Sequence, residues 1–394
     1  MKNCISFILL CNFILLSSQK IPILGFIGVP GDKATVENYN TMKDAGFTIS
    51  LMNFSNGDIA LNALNSAKAA GVKLILFYPQ LHTDSKNSIT KIKDHSALFG
   101  YFIGDEPSPK DFGNFNVYAD VIKKYDNNHM FYTNLHPIYA PKENLEGLTY
   151  SDYIEKAVKN LPLSVISFDH YPIVNNTIRN NFYENLEIIK KQSISSKLPF
   201  WGFACSTIHF DYEAPTLASI KLQQFSNLLY GAQGLEYFTY WTMTSDVNWK
   251  KDNYSYAIVD DNGKPTASYS IIKKVNAQIQ LLASVFINSN VENVYHTGKS
   301  IPSGTTRLPS HVLGFKLFST KGSEALVSYM TNAQDKYIII QNKSLKSSLK
   351  LQYKISRNMY KISNDTGKKD KLSLSKSYTN TIPPGDILIL NYTN

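Results

Sequence analysis

The chain reads as an α/β protein, a (β/α)8 TIM barrel followed by a small C-terminal antiparallel β-sandwich. Three observations predict this. Short apolar runs rich in β-branched and aromatic residues recur at intervals of about 25 to 35 residues. Amphipathic helical patterns fill the gaps, and two of them stop at glycine. Beyond residue 290 the helical patterns cease and only short strand-like runs remain.

The strand candidates are Ile23–Val29, Phe47–Asn53, Val72–Tyr78, Leu98–Gly104, Met130–Asn134, Val165–Asp169, Phe200–Ala204 and Leu235–Trp241. Between them run helices over Thr35–Ala45, stopped by Gly46, and Ile59–Ala70, stopped by Gly71. Asp111–Lys124, Tyr150–Asn160, Asn180–Lys191 and Thr216–Leu229 fill the later gaps, and a long helix over Thr266–Phe286 closes the barrel. An open doubly wound sheet would need a glycine-rich phosphate turn after its first strand. Gly25, Gly28 and Gly31 have the wrong spacing for one, and Pro30 interrupts them. In the C-terminal part, Val312–Phe318, Ala325–Met330, Lys336–Gln341, Leu349–Ile355 and Ile387–Asn391 alternate with Lys, Ser, Asn and Gly turns, which predicts a β-sandwich.

At the amino terminus Lys2, the apolar run Ile5–Leu16 and the small residues Ser17 and Ser18 form a secretory signal pattern, too short to span a membrane. The expected division is therefore a signal peptide over 1–19, a barrel over 20–289 and a β-sandwich over 290–394. A secreted or periplasmic location is expected. Cys4 and Cys11 leave with the signal, so Cys205 remains as a single thiol, with no disulfide and no thiol-rich metal site. The net charge of +9 is spread along the chain. No arginine-rich or aromatic-basic cluster points to nucleic acid.

In a barrel the carboxyl ends of the strands share one mouth. Here they are rich in chemistry. Strand four ends in Asp105 and Glu106, strand five in Asn134 and His136, strand six in Asp169, His170 and Tyr171. His209 follows strand seven, and Tyr240 and Trp241 end strand eight. Successive strand residues face opposite ways, so Asp105 and Glu106 cannot both enter the mouth if the strand continues through them. Carboxylates, amides and rings meeting in one place suit glycoside cleavage: an acid protonates the glycosidic oxygen and a carboxylate meets the developing charge. The candidate catalytic pair is Glu106 and Asp169. Asp105, Asn134, His136, His170, Tyr171, His209, Tyr240 and Trp241 are candidate substrate contacts. His136, His170 and His209 lack the spacing of a metal-ligand pair on one helix, so neither metal nor other cofactor is expected.

These motifs carry a resemblance. Glu106-Pro107, Thr133-Asn134, Ser167 to Pro172, Pro199-Phe200-Trp201, and Gly231 to Gly234 with Tyr237 to Trp241 stand in the order of the strand four to eight signatures of family 42 β-galactosidases, within the large clan of retaining (β/α)8 glycosidases. The resemblance spans about residues 20–290. It implies a glycoside hydrolase acting on an oligo- or polysaccharide, β-galactoside-like, with Glu106 as acid/base. That family carries a nucleophilic Glu just after the Pro-Phe-Trp of strand seven, and here that place is Ala204. Asp169 could supply the second carboxylate. Asp211 and Glu213 lie in the following loop and read as surface groups, and Cys205 as a small buried residue. If Trp241 faces the mouth, Thr239 and Tyr237 share its side and Glu236 turns toward the helices, as a structural residue. The alternative to an enzyme is a catalytically inactive barrel that binds glycan.

Overall fold

The computed structural model describes residues 20–392. Eight parallel strands close into a barrel: β1 (Ile23–Phe26), β2 (Ile49–Asn53), β3 (Lys73–Phe77), β4 (Leu98–Asp105), β5 (Met130–Leu135), β6 (Ile166–Phe168), β7 (Phe200–Cys205) and β8 (Gly234–Phe238). They pair in sequence order, and β8 closes on β1. Each is followed by a helix: α1 (Val36–Asp44), α2 (Gly57–Ala70), α3 (Ser85–Ile92), α4 (Phe112–Lys123), α5 (Tyr150–Asn160), α6 (Phe182–Ser196), α7 (Leu217–Leu229) and α8 (Ala267–Leu281). The helix ends follow local chemistry. Asn56 accepts from the backbone N–H groups of Asp58 and Ile59 in the first turn of α2, and Gly71, at φ 77°, ends it in the left-handed conformation. Thr216 and Ser219 form a reciprocal capping box on α7.

Strand parity divides the apolar residues into two layers. Ile23, Leu74, Phe131, Ile166, Phe200, Leu235 and Tyr237 face the helices. Leu24, Phe26, Ile49, Leu51, Ile75, Phe102, Tyr132, Trp201 and Phe203 fill the barrel. Observed strand ends lie within a few residues of those expected, except that the eighth strand stops at Phe238 instead of running on to Trp241.

The C-terminal part has nine strands. A six-stranded sheet has the order β9 (Asn290–His296), β11 (Ala325–Asn332), β12 (Asp335–Asn342), β17 (Ile387–Tyr392), β14 (Tyr360–Ile362) and β15 (Lys369–Lys371). A three-stranded sheet of β10 (Phe315–Ser319), β13 (Leu349–Ile355) and β16 (Tyr378–Ile382) packs on it. The larger sheet is buried on both faces. Val327, Tyr329, Ile338, Ile340, Leu388 and Leu390 meet the smaller sheet. Leu326, Met330, Ile339 and Ile389 join the core of the barrel's helical layer.

Helix α7 lies in that second interface and is buried from Ser219 to Leu229. Its polar side chains donate to partners on both sides. Asn227 donates to the Phe203 carbonyl at 3.1 Å and Gln224 to the Glu236 carbonyl at 3.0 Å. On the sheet side Ser226 donates to Gln341 at 2.8 Å, and Gln341 donates to the Leu222 carbonyl at 3.0 Å. Lys221 forms a buried ion pair with Asp386 at 2.5 Å, and Gln278 of α8 donates to the same carboxylate at 3.0 Å. Removing one partner of such a pair leaves the other charge buried and unpaired. The Asp386→Ala variant is expected to lose about 3–5 kcal/mol in urea unfolding. A loss below about 1 kcal/mol, the scale of a surface pair, would contradict this account.

Candidate active site

The barrel mouth has two unlike halves. On β1, β7 and β8 the inward residues are aromatic: Phe26 meets Phe203 at 5.6 Å and Phe238 at 6.0 Å between ring centroids. On β4, β5 and β6 they are acids, amides and hydroxyls.

β4 departs from simple alternation. Its register with β5 shifts between Phe102, opposite Tyr132, and Gly104, opposite Thr133. This bulge brings Asp105 opposite Asn134, so Phe102 and Asp105 both face inward although three positions apart. Gly104 makes the turn at φ 145°, and a Cβ there would lie 2.2 Å from the Phe115 ring. Glu106 then adopts φ 43°, a left-handed conformation unusual for a residue with a side chain. Its N–H donates to the Asn134 carbonyl at 2.8 Å, and Tyr153 of α5 donates to the Pro107 carbonyl at 2.9 Å. The surrounding structure thus holds a strained residue at the mouth. Because the strand ends at Asp105, both carboxylates enter the cup.

Asn134 donates to Asp105 Oδ1 at 3.2 Å, and His136 Nδ1 lies 3.3 Å from Glu106 Oε1. Asp169 lies within hydrogen-bonding reach of both Glu106 and Asn134, and its Oδ1 is buried without a partner. Burial first, then the charges of Glu106 and Asp105, push Asp169 well above the usual carboxylate range. Two acids this close do not both ionise cheaply, and Asp169 is the one whose surroundings favour the protonated form. Asp105 is exposed to solvent in the open cup, and the cup walls partly bury its carboxyl. That burial first, and the Glu106 charge second, push it up to about 6.

The structure therefore brings Asp105, Glu106, Asn134, His136 and Asp169 together. Tyr171 and His209 lie at the border with the aromatic half, 5.9 Å apart between centroids. His209 stacks on Tyr254 at 4.8 Å, and its Nδ1 is 2.8 Å from the Thr207 carbonyl. Burial holds His209 below its ordinary value, which favours the neutral ring.

Three expected contacts are not in the cup. His170 has the outward parity of Phe168. It packs on Phe182 and reaches Asn181 at 3.2 Å, and burial holds it at about 3. Tyr240 is buried against Phe47 at 5.2 Å. Trp241 is buried beneath the 260–263 turn, where a Cβ on Gly263 would lie 2.8 Å from its ring. Both follow the end of β8, so strand parity no longer governs them.

That early end also corrects Glu236. It does not turn toward the helices, since Tyr237 does, donating to Asn276 of α8 at 2.7 Å. Glu236 points into the barrel, where Tyr132 donates to its Oε1 at 2.5 Å and Ser167 to its Oε2 at 2.7 Å. On β7 the outward residue is Ala204 and the inward one Cys205. The Cys205 thiol donates to the Thr207 carbonyl at 3.4 Å, and burial pushes it up to about 12, which keeps it un-ionised. Asp211 is exposed, and Glu213 accepts from the Asn176 N–H in the loop after β6.

Sequence reasoning missed Tyr132 and Ser167, both legible as inward by counting back two residues from Asn134 and Asp169. It also missed Tyr139, Arg179, Trp249 and Tyr254. Arg179 lies over the Tyr139 ring at 4.6 Å and fastens the loop after β6. Trp249 and Tyr254, with Phe26, Leu51, Asn53 and Met243, line a largely apolar cavity of about 210 Å³ at the ends of β1 and β2. A larger cleft of about 680 Å³ runs along α7, α8 and the C-terminal sheets, and none of the cup's carboxylates lines it.

With this geometry in place, the chain can be compared with known proteins. It matches no protein-family model and no curated protein. Among solved structures it is similar to a family 39 glycoside hydrolase from the gut symbiont Bacteroides cellulosilyticus WH2, with TM-score 0.58 and 11% identity over 95% of this chain and 81% of that one. It is also similar to a glycoside hydrolase family 5 protein from Bacteroides vulgatus, with TM-score 0.56 and 12% identity over 94% of this chain and 88% of that one. An Anoxybacillus alpha-amylase gives TM-score 0.52 and 10% identity over 94% and 97%. These likenesses show the fold, a (β/α)8 barrel with an appended β-structure.

The raised Asp105 has a consequence for stability. Its folded value of about 6 lies above its ordinary 3.8, so the fold favours the protonated form. The stability this contributes is present below the ordinary value and is lost as pH rises through about 6. Thermal melts across that range should show a fall that is smaller in Asp105→Asn. An equal fall in both proteins would show that Asp105 titrates normally.

Proposed function

We propose that this chain is an exported glycoside hydrolase that cleaves a glycosidic bond in an oligo- or polysaccharide. The observation that carries this reading is the meeting of Asp105, Glu106, Asp169, Asn134 and His136 at the carboxyl ends of β4 to β6. The apolar amino-terminal run, which lies outside the described residues, supports export. The apolar cavity beside Trp249 and Tyr254 offers rings to a sugar face.

In the proposed mechanism Glu106 is the general acid. It is half-exposed to the cup and lies against the deeper Asp169, which burial and neighbouring charge hold toward its protonated form. Glu106 passes a proton to the glycosidic oxygen as that bond breaks, and the water that then bonds to the anomeric carbon returns a proton to it. Asp105 is ionised above about pH 6 and faces the positive charge that develops on the sugar. Asn134 and His136 orient the two carboxylates. Because Asp169 touches Glu106, it acts with the acid and not from the opposite face of the sugar.

One observation favours the second reading, a barrel that binds glycan without cutting it. The place where the resemblance implies a nucleophilic Glu is Ala204, which faces outward, and the inward residue beside it is Cys205, an un-ionised thiol. A panel of plant and algal glycans, followed by reducing-end release, separates the two readings. Hydrolysis is expected, with kcat/KM falling as pH drops through about 6. Glu106→Gln should lose about 10²- to 10⁴-fold in rate, the usual worth of a general acid. Saturable sugar binding with no release by the wild type would support the second reading. Near-wild-type turnover in Glu106→Gln would remove Glu106 from the chemistry.

A further inference from the structure

Glu236 lies beneath the cup, fully buried on the inner face of β8. Its ladder neighbours are apolar, Leu24 on β1 and Phe203 on β7. The polar groups that reach it are Tyr132 from β5 and Ser167 from β6, and the Asp105 charge on β4 acts on it from further away. Ser167 Oγ stands between three partners: Glu236 Oε2 at 2.7 Å, Tyr132 Oη at 3.0 Å and Asn134 Oδ1 at 3.3 Å. The Asn134 amide N–H then donates to Asp105 Oδ1 at 3.2 Å.

We propose that Glu236 is a neutral carboxylic acid that positions the site. Its proton directs the Ser167 hydroxyl onto Asn134, and this fixes the Asn134 amide with its N–H group toward Asp105. Counting protons decides between the two states. Were Glu236 ionised, Tyr132 and Ser167 would each give their single proton to it, and Asn134 Oδ1 would have no donor from Ser167. With a proton on Oε2, the contacts from Tyr132 through Glu236, Ser167 and Asn134 to Asp105 run in one direction. Tyr132 donates to Oε1, Oε2–H donates to Ser167, Ser167 donates to Asn134, and Asn134 donates to Asp105. Burial acts the same way, since a charge here would have only two neutral hydroxyls to solvate it. The relay spans β8, β6, β5 and β4, and links the barrel interior to the carboxylate that the proposed reaction uses. Only this last, catalytic consequence rests on the glycosidase reading.

Burial pushes Glu236 up to about 8. The neutral form therefore persists below that value, and the relay is lost as pH rises through it. Glu236→Gln imitates the neutral acid, because its amide can donate to Ser167 and accept from Tyr132 at any pH. Ser167→Ala removes the middle of the relay and leaves Glu236 in place. Two measurements test this without turnover. In infrared difference spectra at neutral pH, the wild type should show the C=O band of a neutral carboxylic acid that Glu236→Gln lacks. The band should fade as pH rises through about 8. In ¹⁵N-asparagine-labelled protein, the Asn134 side-chain resonance, identified by its loss in Asn134→Asp, should shift over the same range. It should stay fixed in Glu236→Gln and be displaced at every pH in Ser167→Ala. A carboxylate spectrum for Glu236 at neutral pH would overturn the proposal, as would an Asn134 resonance that does not follow its ionisation. A chain that hydrolysed no glycan would fail the proposed function and leave these results standing.

Discussion

Four carboxylates converge on one end of this barrel, and they are held by amides, hydroxyls, one imidazole and each other. Burying negative charge in such company is costly unless protons are shared. Most features of the site follow from this constraint. Asp169 sits against Glu106, where burial and the neighbouring charges favour its protonated form. Asp105 stays nearest to solvent, accepts from Asn134 and feels the imidazole of His136. Glu236, furthest from solvent, meets only hydroxyls.

The backbone of β4 makes this arrangement possible. A regular strand would send one of two adjacent acids into the helical layer, among residues such as Ile103 and Phe112. The bulge before Gly104 resets the parity so that Asp105 faces in. The left-handed turn at Glu106 then redirects the second acid into the same space. Neither device is free. Gly104 is fixed by its own φ and by the Phe115 ring against it, and Glu106 by the Asn134 carbonyl and the Tyr153–Pro107 contact. Strain that is held from several sides at a cleft is the arrangement expected where geometry serves chemistry.

The barrel was legible in the sequence because strands buried on both faces read as continuous apolar runs, and glycines mark the helix ends. Strands of the C-terminal part with a wet face were harder to see. Lys369–Lys371 is exposed throughout, and Tyr378–Ile382 and Asn290–His296 are mostly polar. At the site, the residue types at the ends of β4, β5 and β6 pointed to the right place. Parity did not, wherever a strand stopped being a strand. Counting back from Trp241 put Glu236 on the wrong face because β8 ends three residues earlier, and counting through Asp105 failed because of the bulge. Both errors come from hydrogen bonds between distant strands, which composition and spacing do not record.

The two halves of the mouth bear on how the cup works. Phe26, Phe203 and Phe238 close the β1, β7 and β8 side, and the one inward polar group near the rim there is a thiol held un-ionised by burial. A charge developing on a bound sugar would therefore meet carboxylate only from β4 to β6. In the proposed reaction the acid and the stabilising group then come from the end of one strand, with Asp105 and Glu106 adjacent in the chain. Such closeness requires that the two differ in charge when they act. The structure sets Glu106 against Asp169 and gives Asp105 an amide donor in Asn134. The division of labour between two adjacent acids thus depends on what each one touches: one is backed by an acid, the other by an amide.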